Sequence, residues 1–360
     1  MAYNPNKAIH PGQIISRSLE REGMTQKNLS ERTGLTEKHL SQIINGAASI
    51  TVETSLLLEN ALGGAASFWI NLEKNYQETK ARIERISVLK KEISILAKFP
   101  YSELQKRNYA EPTTAREKKV ENLWKFFGVN SLAFVQTTEA IAYRRRGDKE
   151  IKSEAIAAWL RCGELESRKQ KPAKFSETGL KQSIEKLRQI TLKPAEEFSV
   201  EAKKLLLKCG VSLVYIAHFP GTGVSGAVRW IGDNPVIQLS LFGAYADIFW
   251  FNLFHEIGHL LLHGKKEKFI EFDNRNLSSV QQKEQEADSF ASNALIPSDA
   301  FTRFVQQGNL SRASVAKVAQ LMGIHPGIVE GRLCHEKVSP GISWSKPLGF
   351  RTRLKFVEDS

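Results

Sequence analysis

A chain of 360 residues, 41% hydrophobic and 25% charged, is long enough for two or three domains, each with its own core. Its net charge of +12 favours an anionic partner such as nucleic acid. No apolar run reaches the length of a membrane span, and the N-terminus lacks the apolar core of a signal peptide. Cys162, Cys209 and Cys334 are odd in number and far apart, so a disulfide framework is excluded and a cytoplasmic setting is expected. With no Cys-x-x-Cys pair, any metal site must use histidines and carboxylates.

The first readable unit is HPGQIISRSLEREGMTQKNLSERTGLTEKHLSQIINGAASIT. A helix is predicted from about Pro11 to Glu22, with Ile14, Ile15 and Leu19 on one face, and Gly23 stops it. Thr25 caps a second helix, Gln26 to Thr33; Gly34 makes a tight turn; Thr36 caps a third helix that ends near Asn45 and Gly46. Two short helices joined by a glycine turn form a helix-turn-helix, whose second helix enters the major groove. Thr36, Lys38, His39, Ser41 and Gln42 are the candidate groove residues; Gln42 suits adenine, and Lys38 suits guanine or phosphate. Arg17, Gln26, Lys27 and Asn45 are candidate DNA contacts flanking them, suited to phosphates.

This stretch, with the following TVETSLLLENALGGAASFWINLEKNY, resembles the phage-repressor-type helix-turn-helix family, and within it the HigA antitoxin-like group. The resemblance implies binding to a double-stranded operator as a homodimer.

From about Gln77 to Leu192 the sequence reads as amphipathic helices, among them ARIERISVLKKEISIL, REKKVENLWKFFGV and SEAIAAWLRCGELESRK. Arg144, Arg145 and Arg146 form a basic cluster that reads more readily as a solvated loop than as a DNA contact. No chemistry is legible in this region.

After Ala202 the texture changes. A helix running into Gly210 precedes a short strand, and VSGAVRWIGDNPVIQLSL alternates around a turn, which predicts a β-hairpin. The second strand of that hairpin, PVIQLSL, is expected at the sheet edge, where an extended peptide can add. Next comes FNLFHEIGHLLLHG. Residues four apart on a helix lie within about 40° of rotation and about 6 Å of rise, so His255 and His259 can aim two imidazoles at one Zn²⁺. Glu256 faces away from that pair and is placed to act as general base on a water activated by the cation. His263, a further turn along, suits a supporting role beside the ligands rather than ligation.

A third ligand is expected from KEQEADSFASNALIP. Ala287, Phe290, Ala291, Ala294 and Leu295 form an apolar stripe, and Glu286 sits at its edge, where burial of a carboxylate needs a cation. Glu286 is therefore assigned as the ligand, with Glu284, about 200° round the helix, as its rival. Asp288 is assigned to orient a ligand histidine. Arg229 and Tyr245 are candidate substrate contacts that could equally be structural.

DIFWFNLFHEIGHLLLH together with EQEADSFASNALIP resembles the ImmA/IrrE family of zinc metallo-endopeptidases, and LMGIHPGIVEGRLCHE fits the stretch that follows the catalytic region in its helix-turn-helix-fused members. The resemblance implies zinc on His255, His259 and Glu286 (Mn²⁺ if the cell supplies it), Glu256 as base, and a protein substrate such as a DNA-bound repressor. The second helix of SRASVAKVAQLMGIHPGIVEGRLCHE offers few polar contacts, so this segment is expected to pack on the peptidase domain, ahead of a basic tail.

The expected fold is α+β and mostly α. It has a helix-turn-helix domain at 1–80, a helical middle region at 81–195, a zincin-like domain with a small sheet at 196–300, and a C-terminal helical segment at 301–360.

Overall fold

The computed structural model describes residues 7–135, 152–240, 245–264 and 277–354. The chain divides into one unit that ends at Ile95 and a second that begins at Leu96. Arg144, Arg145 and Arg146 lie outside the described residues. Among the described residues, no helix is long and apolar enough to cross a membrane.

The first unit holds α1 (Pro11–Arg21), α2 (Gln26–Thr33), α3 (Glu37–Ile44), α4 (Val52–Leu62) and α5 (Ala66–Glu92). Most of its helix starts are set locally. His10 Nδ1 accepts from the Gly12 N–H at 2.9 Å with Pro11 in the first turn. Thr25 and Asn28 close a capping box on α2. Thr36 and Thr51 accept from the N–H groups of His39 and Thr54. Gly34 ends α2 at φ 74°, a left-handed conformation that a Cβ would strain, and this turn sets α3 across α2. Beneath these helices Ile15, Leu19, Leu29, Leu40, Ile43, Leu58 and Trp69 form one core. Any Cβ on Gly12 would overlap the Ile44 carbonyl, so only glycine lets α1 lie against the end of α3.

The expected domain edge at residue 80 is corrected. Residue 80 lies inside α5, which contains neither glycine nor proline to break it, and the unit continues to Ile95.

The second unit contains α6 (Tyr101–Lys106), α7 (Arg116–Phe127), α8 (Ser153–Arg168), α9 (Glu177–Ile190) and α10 (Ala195–Lys208). A sheet follows: β1 (Ser212–Tyr215), β2 (Gly226–Ile231) and β3 (Asn234–Leu239). The strand order is β1-β3-β2, with β3 parallel to β1 and antiparallel to β2. The hairpin is present, with Ile231 paired to Asn234 across Gly232 and Asp233. Its second strand, however, is central rather than at the edge, because β1 returns beside it. Alternate residues of β3 serve two layers. Ile237 and Leu239 join the main core, while the Gln238 amide donates to the Trp159 carbonyl on α8 at 2.7 Å.

That contact corrects the reading of 81–195 as a separate middle region. Helix α8 is a layer of the sheet domain. Its Trp159 donates to the Ile216 carbonyl at 2.8 Å, and Gly163 leaves room for the Gln238 side chain, which a Cβ would overlap.

Helices α11 (Ala246–Leu262) and α12 (Leu277–Leu295) pack against each other, and α11 also lies on β2 and β3. Then come α13 (Ser298–Gln306), α14 (Arg312–Met322) and α15 (Pro326–His335), which contribute Phe301, Phe304, Val315, Val329 and Leu333 to the same core as α11. A final segment crosses the start of α11. Thr352 accepts from the Ala246 N–H at 2.9 Å, and the buried Glu330 accepts from the N–H groups of Leu348, Gly349 and Phe350.

Candidate metal centre and DNA-reading helix

Helix α11 is apolar on most of its surface because it is covered by the sheet on one side and by α12 and α15 elsewhere. Phe249, Trp250, Leu253, Phe254 and Ile257 are all buried. Within that setting His255 Nε2 and His259 Nε2 converge to 3.0 Å. Two ~2.0 Å bonds at a tetrahedral angle separate two zinc-bound nitrogens by about 3.3 Å, so this pair fits one ion without a change of helix geometry.

The carboxylate that meets them is Glu284. Its oxygens lie 3.5 Å from His255 Nε2 and 3.4 Å from His259 Nε2. The ligand atoms of His255, His259 and Glu284 all fall within 4.8 Å of one another. Glu286, the ligand chosen from the sequence, is exposed, accepts from Gln282 at 2.9 Å and lies 3.8 Å from His263 Nδ1. The difference is one of helical phase. Ala287, Ala291 and Leu295 are the fully buried positions of α12. At about 100° per residue, Glu284 projects within the arc they define, and Glu286 projects about 100° outside it. The sequence stripe had been centred too far toward Phe290, which is only partly buried.

Asp288, one turn after Glu284, places Oδ1 2.7 Å from His255 Nδ1. That contact fixes the histidine's Nδ1 as the N–H and frees Nε2 for a cation. His263 has its own partner, the Lys283 carbonyl at 3.3 Å from Nε2, and so ties the end of α11 to α12.

Glu256 is buried at 4% exposure and faces β2. A Cβ on Gly226 would come within 2.5 Å of its Oε1. Gly226 therefore makes the space in which this carboxylate sits, a role not read from the sequence, although a lone glycine in a strand pattern signals close approach. Arg229 donates to the Leu160 carbonyl at 2.6 Å, and the Tyr245 ring lies under Arg351 at 4.0 Å, so both have structural partners.

In the first unit, α3 presents Lys38, Gln42 and Asn45 as exposed side chains, while Leu40 and Ile43 face the core. His39 and Ser41 are half-buried at the flank, and Asn45 donates to Ser41 Oγ at 3.2 Å. Thr36 is exposed and uses its hydroxyl oxygen as the cap. Gln26 and Lys27 are exposed at the start of α2, where the helix dipole favours a phosphate, and Arg17 is exposed on α1.

A capped helix-turn-helix in one unit and a His-Glu-x-x-His helix in the other define a DNA-binding regulator with a metallopeptidase-type domain. Residues 15–69 match the family model of a helix-turn-helix, and residues 246–333 match that of an IrrE N-terminal-like domain, a peptidase family. Over 86 residues the chain is 28% identical to virulence-associated protein I of Dichelobacter nodosus, covering 24% of this chain and 80% of that protein. Among solved structures it is similar to an addiction module antidote protein of a HigA family from Coxiella burnetii. That match has 31% identity and a TM-score of 0.22, and covers 24% of this chain and 95% of that one. The chain thus joins an N-terminal helix-turn-helix domain, with an antitoxin among its relatives, to an IrrE-like domain.

Proposed function

We propose that this protein is a transcriptional regulator that binds an operator through residues 1–95 as a homodimer and carries a zinc endopeptidase that cuts a repressor- or antitoxin-type protein. The observation that carries the enzymatic part is the convergence of His255, His259 and Glu284 beside the buried carboxylate of Glu256. His255, His259 and Glu284 would hold the cation, zinc or manganese, with Asp288 orienting His255. When bound, the ion supplies Lewis acidity. The chain's own contribution is proton transfer: Glu256 accepts a proton from the attacking water and returns it to the departing amine. Lys38 and Gln42 read base edges, and Arg17, Gln26, Lys27 and Asn45 hold phosphates.

Glu256→Gln tests the reading. The amide keeps the shape and a hydrogen bond but cannot take the proton. Zinc content and fold should be retained, while cleavage of the cognate repressor falls ~10²–10⁴-fold. The depth of Glu256 favours one alternative, an antitoxin-like repressor whose zinc fold senses or scaffolds without catalysis. Normal induction in cells carrying Glu256→Gln, with zinc retained, would establish that alternative instead.

A further inference from the structure

A cavity of about 270 Å³ opens between the start of α11, the end of α12 and α15. Its walls include Ile248, Phe251, Ile328 and Trp344, and the ring of His335 stacks beside Phe251 with centroids 6.4 Å apart. It is separate from the metal-binding set: Phe251 stands one turn before His255 on α11.

One polar group in its lining is incompletely satisfied. Asp247 is 7% exposed, and its Oδ2 receives Arg351 Nε at 3.0 Å. Its Oδ1 is buried and has no hydrogen-bond partner among the described residues. Buried carboxylate oxygens normally accept hydrogen bonds, so this atom calls for a donor. Burial pushes the Asp247 carboxyl above its ordinary range, against the pull of Arg351 and the first N–H groups of the helix. The cations nearby are already engaged. Arg332 lies on Glu336 at 2.7 Å and on the Ile296 carbonyl at 2.6 Å, and Arg351 is held on Asp247 with its guanidinium over the rings of Tyr245 and Trp344. The unused capacity of the cavity is therefore an anionic acceptor at the end of an aromatic-walled space. Trp344 remains half exposed, so its ring is also reachable from solvent.

We propose that this cavity binds a small aromatic amine, with the ring against Phe251 and Trp344 and the nitrogen donating to Asp247 Oδ1. The volume suits one ring with a short side chain, just below the usual range for drug-sized ligands. A carboxylate ligand of the same shape would set like charge against Asp247, and a neutral alcohol would supply a donor without the charge.

The test uses 2-phenylethylamine, 2-phenylethanol and phenylacetate, titrated into the full-length protein and followed by ligand-observed NMR. The amine should bind at least ~10-fold more tightly than phenylacetate, with the alcohol between them. Asp247→Asn should bring the amine down to the alcohol. Because that change also cuts the pair with Arg351, Ser292→Leu provides a second check. It fills the cavity from α12, leaves the carboxylate in place, and should abolish amine binding while the circular dichroism is unchanged. Equal affinity for amine and phenylacetate, no binding of any of the three, or amine binding that survives Ser292→Leu would each overturn the proposal.

Discussion

The two units assemble their functional residues over very different spans of chain. In the first, the turn and the reading helix lie within twenty or so consecutive residues, and each start and stop is a contact between near neighbours: Thr25 with Asn28, Thr36 with His39, and Gly34 at its left-handed φ. In the second, His255 and His259 come from α11, Glu284 and Asp288 from α12, and the space for Glu256 from Gly226 on β2. A site built from local contacts is robust to errors in packing. A site built from three elements depends on the rotational phase of each, and a rotation of one helix replaces one carboxylate by another.

The sharpest way to break this comparison is to exchange the two carboxylates of α12. Glu284→Gln should lower zinc affinity by more than the ~10–100-fold expected for loss of an orienting partner, while Glu286→Gln should leave it essentially unchanged. Asp288→Asn should fall within that ~10–100-fold range. Competition with a chelating dye measures all three, and a reversed order for Glu284 and Glu286 would restore the phase read from the sequence.

The strand's part is tested at Gly226. Gly226→Val drives a side chain into Glu256 and should destabilise the second unit by ~1–3 kcal/mol in chemical denaturation. An unchanged midpoint would show that β2 can retreat from α11.

In the first unit, Gln42→Ala should remove ~1–3 kcal/mol of discrimination between operator and mismatched DNA. Arg17→Ala should weaken all sequences alike and reduce the salt slope by about one. Anisotropy titrations over a salt series separate the two effects, and equal binding of the unaltered protein to operator and random DNA would remove the reading role of α3.

The smallest expected effect concerns a local cap placed inside the tertiary unit. His325 Nδ1 accepts from the Gly327 N–H at 3.1 Å, and burial lowers its pKa below the ordinary histidine value, against the opposing pull of Asp247. The folded chain therefore takes up this proton less readily than the unfolded one. The cap contributes fully above the ordinary histidine range and is lost as the pH falls through that range toward the lowered value. His325→Ala should cost about 1 kcal/mol near ~pH 8 and less near ~pH 5, read from denaturation midpoints at the two values. A cost independent of pH would show that the imidazole is not acting as a neutral acceptor.

Much of this molecule was legible before any coordinates. The bounds of α2, the cap of α3 and the hairpin around Gly232 follow from residue types that act on their immediate neighbours. So does the pairing of His255 with His259, because a spacing of four on a helix is a geometric identity. Less legible was the extent of the units. Helix α5 continues past residue 80 because nothing in it opposes helix, and α8 belongs to the sheet because Gln238 and Trp159 bond across 79 residues of chain.

The sequence by itself determined the local geometry: where helices begin, where they turn, and which residue types share a face. Only the tertiary structure decided which face is inside. Glu284 and Glu286 both border an apolar stripe in one dimension, and the choice between them is made by the packing of α12 on α11, which buries Ala287 and Ala291 and leaves Phe290 only partly covered. Likewise, PVIQLSL reads as a strand from its residues, yet its central place in the sheet comes from β1, more than twenty residues earlier, closing beside it. Burial and strand order are long-range properties, set by the free energy of the assembled core rather than by any single segment.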